Sequence, residues 1–197
     1  MSQKEFENYE YEARAMISES IYKSLTEKFF FSDINKKALV NINTYFDNDS
    51  LFLSNNHMVL RIREVNENER ELTLKIKGEK GDIEINHSLT SYEYKNMMEK
   101  SIVPASNVKN KLVELGLSLS EVKMIVTLKT ERLEVHYPKY TFVIDKNYFR
   151  DKVDYNVEVE SSSKRRAIHH LNKEMKDFKI KYKKGYISKS RRAIFDL

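Results

Sequence analysis

Two periodicities alternate along the chain. Residues 8–16 have period two, with Glu10, Glu12 and Arg14 on one side and Tyr9, Tyr11, Ala13 and Ala15 on the other, which predicts a half-buried strand. Residues 19–31 change to helical spacing through Ile21, Leu25, Phe29 and Phe30. Short extended pieces are expected at 39–46 and 51–52, around a turn at Asp47–Asp49. Strands at 58–65 and 70–77 meet across the polar residues 66–69 as a hairpin, and a third strand, 82–89, follows a turn at Gly78–Gly81. Amphipathic helices cover 90–100 and 105–115, separated by Pro104 and ended by Gly116. Strands are then expected at 124–136, 140–145 and 153–160, with turns at Tyr137–Pro138 and 147–151. A long helix at 164–178 begins behind the serine run 161–163, which can cap it, and a basic tail at 179–195 closes the chain.

No repeat, linker or low-complexity tract interrupts this order, so residues 1–197 read as one α+β domain dominated by an antiparallel sheet. The strands share an unusual feature. Glu10/Glu12/Arg14, Arg61/Arg63, Lys75/Lys77, Asp82/Glu84, Arg132/Glu134 and Glu158/Glu160 all place charge at i, i+2. Any one pair fits the solvated face of an antiparallel sheet. Together, with Val59, Leu60, Ile62 and Val65 keeping the opposite face apolar, they form the pattern that a barrel with a polar interior and helices packed outside would show.

Composition narrows the chemistry. The chain has no cysteine, which removes disulfides, thiolate metal sites and thiol nucleophiles. No apolar run reaches a membrane span, and the polar N-terminus does not read as a signal peptide, so a cytoplasmic protein without a membrane partner is expected. The net charge of +5 arises from 35 basic and 30 acidic residues, which favours a small anion over nucleic acid, since half of the alternating charge would repel a phosphate backbone. Arginines and lysines mixed with carboxylates fit phosphoryl oxygens bridged by a divalent metal, because each set alone would repel itself. No glycine-rich phosphate loop, nucleophile triad or histidine metal constellation is present. Phosphate would be held by side chains.

The residues also resemble a family. Glu10-Tyr11-Glu12-Ala13-Arg14 is similar to the ExExK signature that opens CYTH domains, the superfamily of class IV adenylyl cyclase, thiamine triphosphatase and other triphosphate tunnel metalloenzymes. Leu60-Arg61-Ile62-Arg63, Leu72-Thr73-Leu74-Lys75, Lys129-Thr130-Glu131-Arg132, Asp154 to Glu160 and Ser188-Lys189-Ser190-Arg191 follow in the family's order. The signature lysine is Arg14 here, which keeps the charge and loses the titratable ammonium. The resemblance implies an α+β fold built on an eight-stranded antiparallel β-barrel, a tunnel with helices packed outside, and a metal-dependent hydrolase of a triphosphate, with Mg²⁺ or Mn²⁺ as cofactor. Inorganic triphosphate is the first expected substrate, ahead of ATP and thiamine triphosphate. A cyclase or thiamine triphosphatase, and a non-catalytic module that binds polyphosphate or nucleotide, are the alternatives. Expected metal ligands are Glu10, Glu12, Glu158 and Glu160, then Glu84 and Asp145. Expected phosphate ligands are Arg14, Arg61, Arg63, Lys75, Lys77 and Arg132, with Lys189 and Arg191 on a basic C-terminal strand. Arg14 and Lys75 are the candidate catalytic residues.

Overall fold

A computed structural model describes residues 11–66, 69–78 and 82–197. Glu10 and the start of the first predicted strand lie outside these residues, as do the hairpin positions 67–68 and most of the predicted turn at 78–81. The elements run β1 (Tyr11–Ile17), α1 (Glu19–Phe30), β2 (Lys36–Asp47), α2 (Phe52–Asn55), β3 (Met58–Val65), β4 (Glu69–Lys77) and β5 (Asp82–Ser88). They continue with α3 (Ser91–Lys100), α4 (Asn107–Glu114), β6 (Lys123–Tyr137), β7 (Tyr140–Phe149), β8 (Lys152–Ser161), α5 (Lys164–Glu174) and α6 (Lys189–Phe195). One eight-stranded antiparallel sheet joins the strands in the order β1-β8-β7-β6-β2-β3-β4-β5. The chain divides into two compact units, Asn43–Thr127 and residues 11–42 with Leu128–Leu197.

In the first unit, the even positions of β3 and β4 point Leu60, Ile62, Leu72 and Leu74 into a core with Met97 of α3 and Val108 and Leu112 of α4. Helix α3 starts at a capping box: Thr90 Oγ1 accepts from Glu93 N–H, and the Glu93 carboxylate accepts from Thr90 N–H. Gly116, at φ +83°, turns the chain out of α4, a conformation that costs glycine little.

In the second unit, Ala13 and Ala15 of β1, Val157 and Val159 of β8 and Phe142 and Ile144 of β7 form the apolar face. Leu25 and Phe29 of α1, Ala167 and Leu171 of α5 and Met175 just past the end of α5 cover it. The small alanines of β1 let α5 approach closely, and Ser163 caps that helix by accepting from Arg166 N–H. In both units period two therefore sends apolar side chains to the helices and charged ones to the opposite face.

Three local expectations are corrected. Residues 52–55 form the helical turn α2 instead of an extended piece, because the buried Asp47 carboxylate takes up its free N–H groups: Oδ1 accepts from Leu53 N and Oδ2 from Ser54 N, both at 2.9 Å. Asn147 belongs to β7 instead of a turn, and the turn falls at Arg150–Asp151. A buried asparagine is tolerated in the strand because its whole amide is bonded, Oδ1 to Thr130 Oγ1 and Nδ2 to Asp154 and Asn156. Lys189 and Arg191 lie on the helix α6 instead of a strand, and Ser188 caps it by accepting from Arg191 N–H.

Candidate active site

In the second unit, the polar face of β1, β6, β7 and β8 gathers seven of the expected residues. Strand register places Glu12 opposite Glu160 and Arg14 opposite Glu158 on β1 and β8, and Arg132 opposite Asp145 on β6 and β7. Arg132 forks onto Asp145, Nε to Oδ1 at 2.9 Å and Nη2 to Oδ2 at 3.0 Å, while Nη2 also reaches Glu158 Oε2 at 3.2 Å. From α6, Lys189 Nζ donates to Asp145 Oδ2 at 2.6 Å and stands 3.1 Å from Glu158 Oε1. Arg14 pairs with Glu12, and its Nε lies 3.2 Å from Glu158 Oε1, a contact of charge without hydrogen-bond geometry. Glu160 sits at the edge of the cluster, with Oε1 3.7 Å from Arg132 Nη1 and the side chain 39% exposed.

The electrostatics follow from this packing. Burial alone would raise the Glu158 carboxyl, but Lys189, Arg14 and Arg132 outweigh it and hold it well below the ordinary carboxylate range. Burial works against the charge on Arg132, and Asp145 and Glu158 more than restore it. Arg14 is likewise kept charged against burial by Glu158 and Glu12. Neither guanidinium can act as a base near neutrality.

Sequence reasoning missed the layer beneath these groups. Asn156 donates to both Asp145 and Glu158, and Asp154 receives a forked pair from the buried Arg192 at 2.7 and 3.0 Å. Arg192 also donates to the Tyr186 hydroxyl at 2.8 Å. One signal was available: Asp154, Asn156, Glu158 and Glu160 alternate with period two, so all four share a face. Arg191, by contrast, is exposed and lies over the Phe195 ring.

The first unit carries a second cluster. On the polar face of β3–β5, Lys75 stands opposite Glu84, with Nζ 3.0 Å from Oε1. Burial would raise the Glu84 carboxyl, and Lys75, Arg61 and Arg63 outweigh it and lower it. Arg63 Nε donates to Asn43 Oδ1 at 3.4 Å. Arg61 Nε is buried and has no hydrogen-bond partner among the described residues. Lys77 is exposed at the end of β4. Glu10 lies outside the described residues.

The donors present fit a hard divalent ion in kind and in charge. Around Arg14, Arg132 and Lys189 stand five carboxylates, Glu12, Glu134, Asp145, Glu158 and Glu160, so acids exceed cations, and all donors are oxygen. Among the described residues no three acidic or histidine side chains stand at metal-binding spacing, since Asp145 and Glu158 are drawn onto their cations. Glu12 and Glu160 stand face to face across β1 and β8, each beside a guanidinium.

Comparisons with known proteins agree with this geometry. The family model of the CYTH domain matches residues 8–194. The chain is 29% identical over 177 residues to a Bacillus subtilis (strain 168) protein named "putative triphosphatase YjbK", covering 87% of each. It is similar to the crystal structure of a "putative adenylate cyclase" from Bacillus halodurans, with TM-score 0.83 and 27% identity over 94% of this chain and 97% of that one. It shares the fold of the Hippeastrum protein HpAC1, described as a "putative adenylyl cyclase" with a dominant triphosphatase activity, at TM-score 0.78 and 18% identity over 93% and 94% of the two chains.

Proposed function

The chain belongs to the CYTH domain family, and from that premise we propose that it hydrolyses a triphosphate, inorganic triphosphate first, with Mg²⁺ or Mn²⁺ as its cofactor. The observation that carries this reading is Arg61 Nε, a buried donor without a hydrogen-bond partner among the described residues, on a face where Arg63 and Lys75 add further positive charge. A buried N–H that no protein group satisfies is costly unless a ligand completes it, and the non-bridging oxygens of a condensed phosphate are strong acceptors for a guanidinium. The family match over 8–194 supports treating residues 1–197 as one domain.

In this reading Arg61, Arg63 and Lys75 bind phosphoryl oxygens and spread the charge that grows on them as the phosphoanhydride bond breaks and water adds to phosphorus. Glu84 holds the Lys75 ammonium in place. In the second unit, Asp145 and Asn156 orient Arg132 and Lys189 toward Glu158, and Arg14 steadies Glu12 and Glu158. The residues that would hold the metal are Glu12 and Glu160, with Glu10 of the same signature and Glu158. A divalent ion held there would supply Lewis-acid chemistry. Lys77 and Arg191, both exposed, serve as outlying cations for a charged substrate.

A cyclase reading is kept because the Bacillus halodurans relative carries that name. One assay separates the two: release of phosphate, pyrophosphate and cyclic nucleotide from inorganic triphosphate, ATP and thiamine triphosphate, each with Mg²⁺, Mn²⁺ or excess chelator. Metal-dependent phosphate release from inorganic triphosphate is expected. Cyclic AMP with pyrophosphate from ATP would replace the hydrolase reading with the cyclase. Tight binding with no turnover of any of the three would make the protein a binding module.

A further inference from the structure

Between Asp177 and Asp196 the sequence holds five lysines, two arginines and no acid. The first half of this segment lies against the end of β1 and forms with it an open pocket of about 550 Å³, the size that small organic ligands occupy. Lys179, Lys181, Lys183 and Lys184 line it, together with Arg14 and Arg192, and no carboxylate does. The two arginines are committed, Arg14 to Glu158 and Glu12 and Arg192 to Asp154. The four lysines are exposed, and their side chains make no ion pair or hydrogen bond among the described residues. Four like charges within six residues repel one another, and no carboxylate among the residues lining the pocket offsets them.

The rest of the wall is apolar. Met16 and Ile187 leave 42% and 44% of their surface open, and the Tyr186 ring stands 5.9 Å from the Arg14 guanidinium and 5.3 Å from that of Arg192. A bare inorganic anion would satisfy the lysines and leave this apolar surface in water.

We propose that the pocket binds an organic phosphate, a phosphate or diphosphate group carried on a flat apolar body, with the lysines on the phosphoryl oxygens and Met16, Tyr186 and Ile187 against the body. The site uses different residues from the triphosphate grip of Arg61, Arg63 and Lys75 and does not depend on hydrolysis.

Titration calorimetry with ADP, pyrophosphate and adenosine tests it, in an Arg61→Ala/Arg63→Ala background that removes anion binding by the first unit. ADP is expected to bind this background. Adding Lys181→Ala, Lys183→Ala and Lys184→Ala should weaken ADP about tenfold, the sum of three exposed charge contacts. Met16→Ser with Ile187→Ser should weaken ADP several-fold and leave pyrophosphate unchanged. The same three lysine substitutions in the otherwise unaltered chain should keep its melting temperature and its turnover of inorganic triphosphate. ADP affinity unmoved by the lysine variant would overturn the site. So would pyrophosphate binding as tightly as ADP, which would reduce the pocket to a patch for bare anions, or adenosine binding as tightly, which would remove any role for the phosphate.

Discussion

On β3–β5 the polar face sets Arg61, Arg63 and Lys75 around Glu84, whereas on β1, β6, β7 and β8 Arg14, Arg132 and Lys189 meet five carboxylates. A buried guanidinium Nε without a hydrogen-bond partner among the described residues occurs in both, Arg61 in the first and Arg14 in the second, but Lys75 and Glu84 of the first cluster are each about a quarter exposed. The second is closed on itself: each of its cations touches at least two acids, and Asp145 and Glu158 are almost fully buried. Burying charge in that way is costly and is tolerated only with near-complete pairing. The same strand periodicity has thus set a part-exposed group of cations around one acid in one unit and a buried cluster of paired ions in the other.

The sharpest way to break this comparison is to remove the central acid of each cluster. Glu158→Ala strands Arg14, Arg132 and Lys189 in a buried site and should cost about 3–5 kcal/mol of unfolding free energy. Glu84→Ala, at a position whose side chain is 24% exposed, should cost only about 0.5–1 kcal/mol. Urea unfolding of both variants measures the difference. Equal losses would mean that the two clusters do the same structural work.

Next in size is the anion grip. Arg61→Ala removes a side chain whose buried Nε has no hydrogen-bond partner among the described residues, so stability should hardly move, while triphosphate binding weakens by about 1.5–3 kcal/mol. Calorimetry beside a thermal melt reads both. A parallel fall in melting temperature would turn Arg61 into a structural residue.

How far the sequence anticipated these clusters follows from what each signal depends on. Strand parity needs only period two, so Arg61 with Arg63, and Glu158 with Glu160, could be assigned to one face before any fold was known. The residues that close the second cluster depend on pairing between distant segments. Asn147 looked like a turn former until Thr130, Asp154 and Asn156 completed its hydrogen bonds. Arg192 was indistinguishable from Arg191 until α6 buried one and exposed the other, because neighbours on a helix point about 100° apart. The short helix α2 was hidden for the same reason: the carboxylate that takes up its N–H groups, Asp47, comes from the preceding strand.

A smaller effect distinguishes the clusters by acid. Both Glu84 and Glu158 titrate below the ordinary carboxylate value of 4.5 when folded. Their contribution to stability is therefore fully present above that value and is lost as pH falls through the folded pKa. Glu158 is held far lower, so Glu158→Gln should flatten the acid limb of stability against pH over a wider range than Glu84→Gln. Unfolding free energies between about pH 7 and pH 3 test this, and identical limbs in the two variants would contradict it.

The smallest expected effect is also the one that bears on chemistry. Arg14→Lys keeps the charge beside Glu12 and Glu158 and exchanges a rigid fork for a compact ammonium. Were a lysine at this position needed to move a proton, the variant would gain turnover and a shifted pH profile. Arg14 is held charged by Glu158 and Glu12 against burial, and the same two acids would favour a charged lysine there, keeping it from serving as a base near neutrality. The expected result is a loss of about 1 kcal/mol in stability from the weaker pairing, a modest fall in triphosphate affinity and an unchanged pH profile of turnover. A new limb in that profile, with activity held or raised, would move Arg14 from the supporting frame of the acid cluster to the reacting atoms.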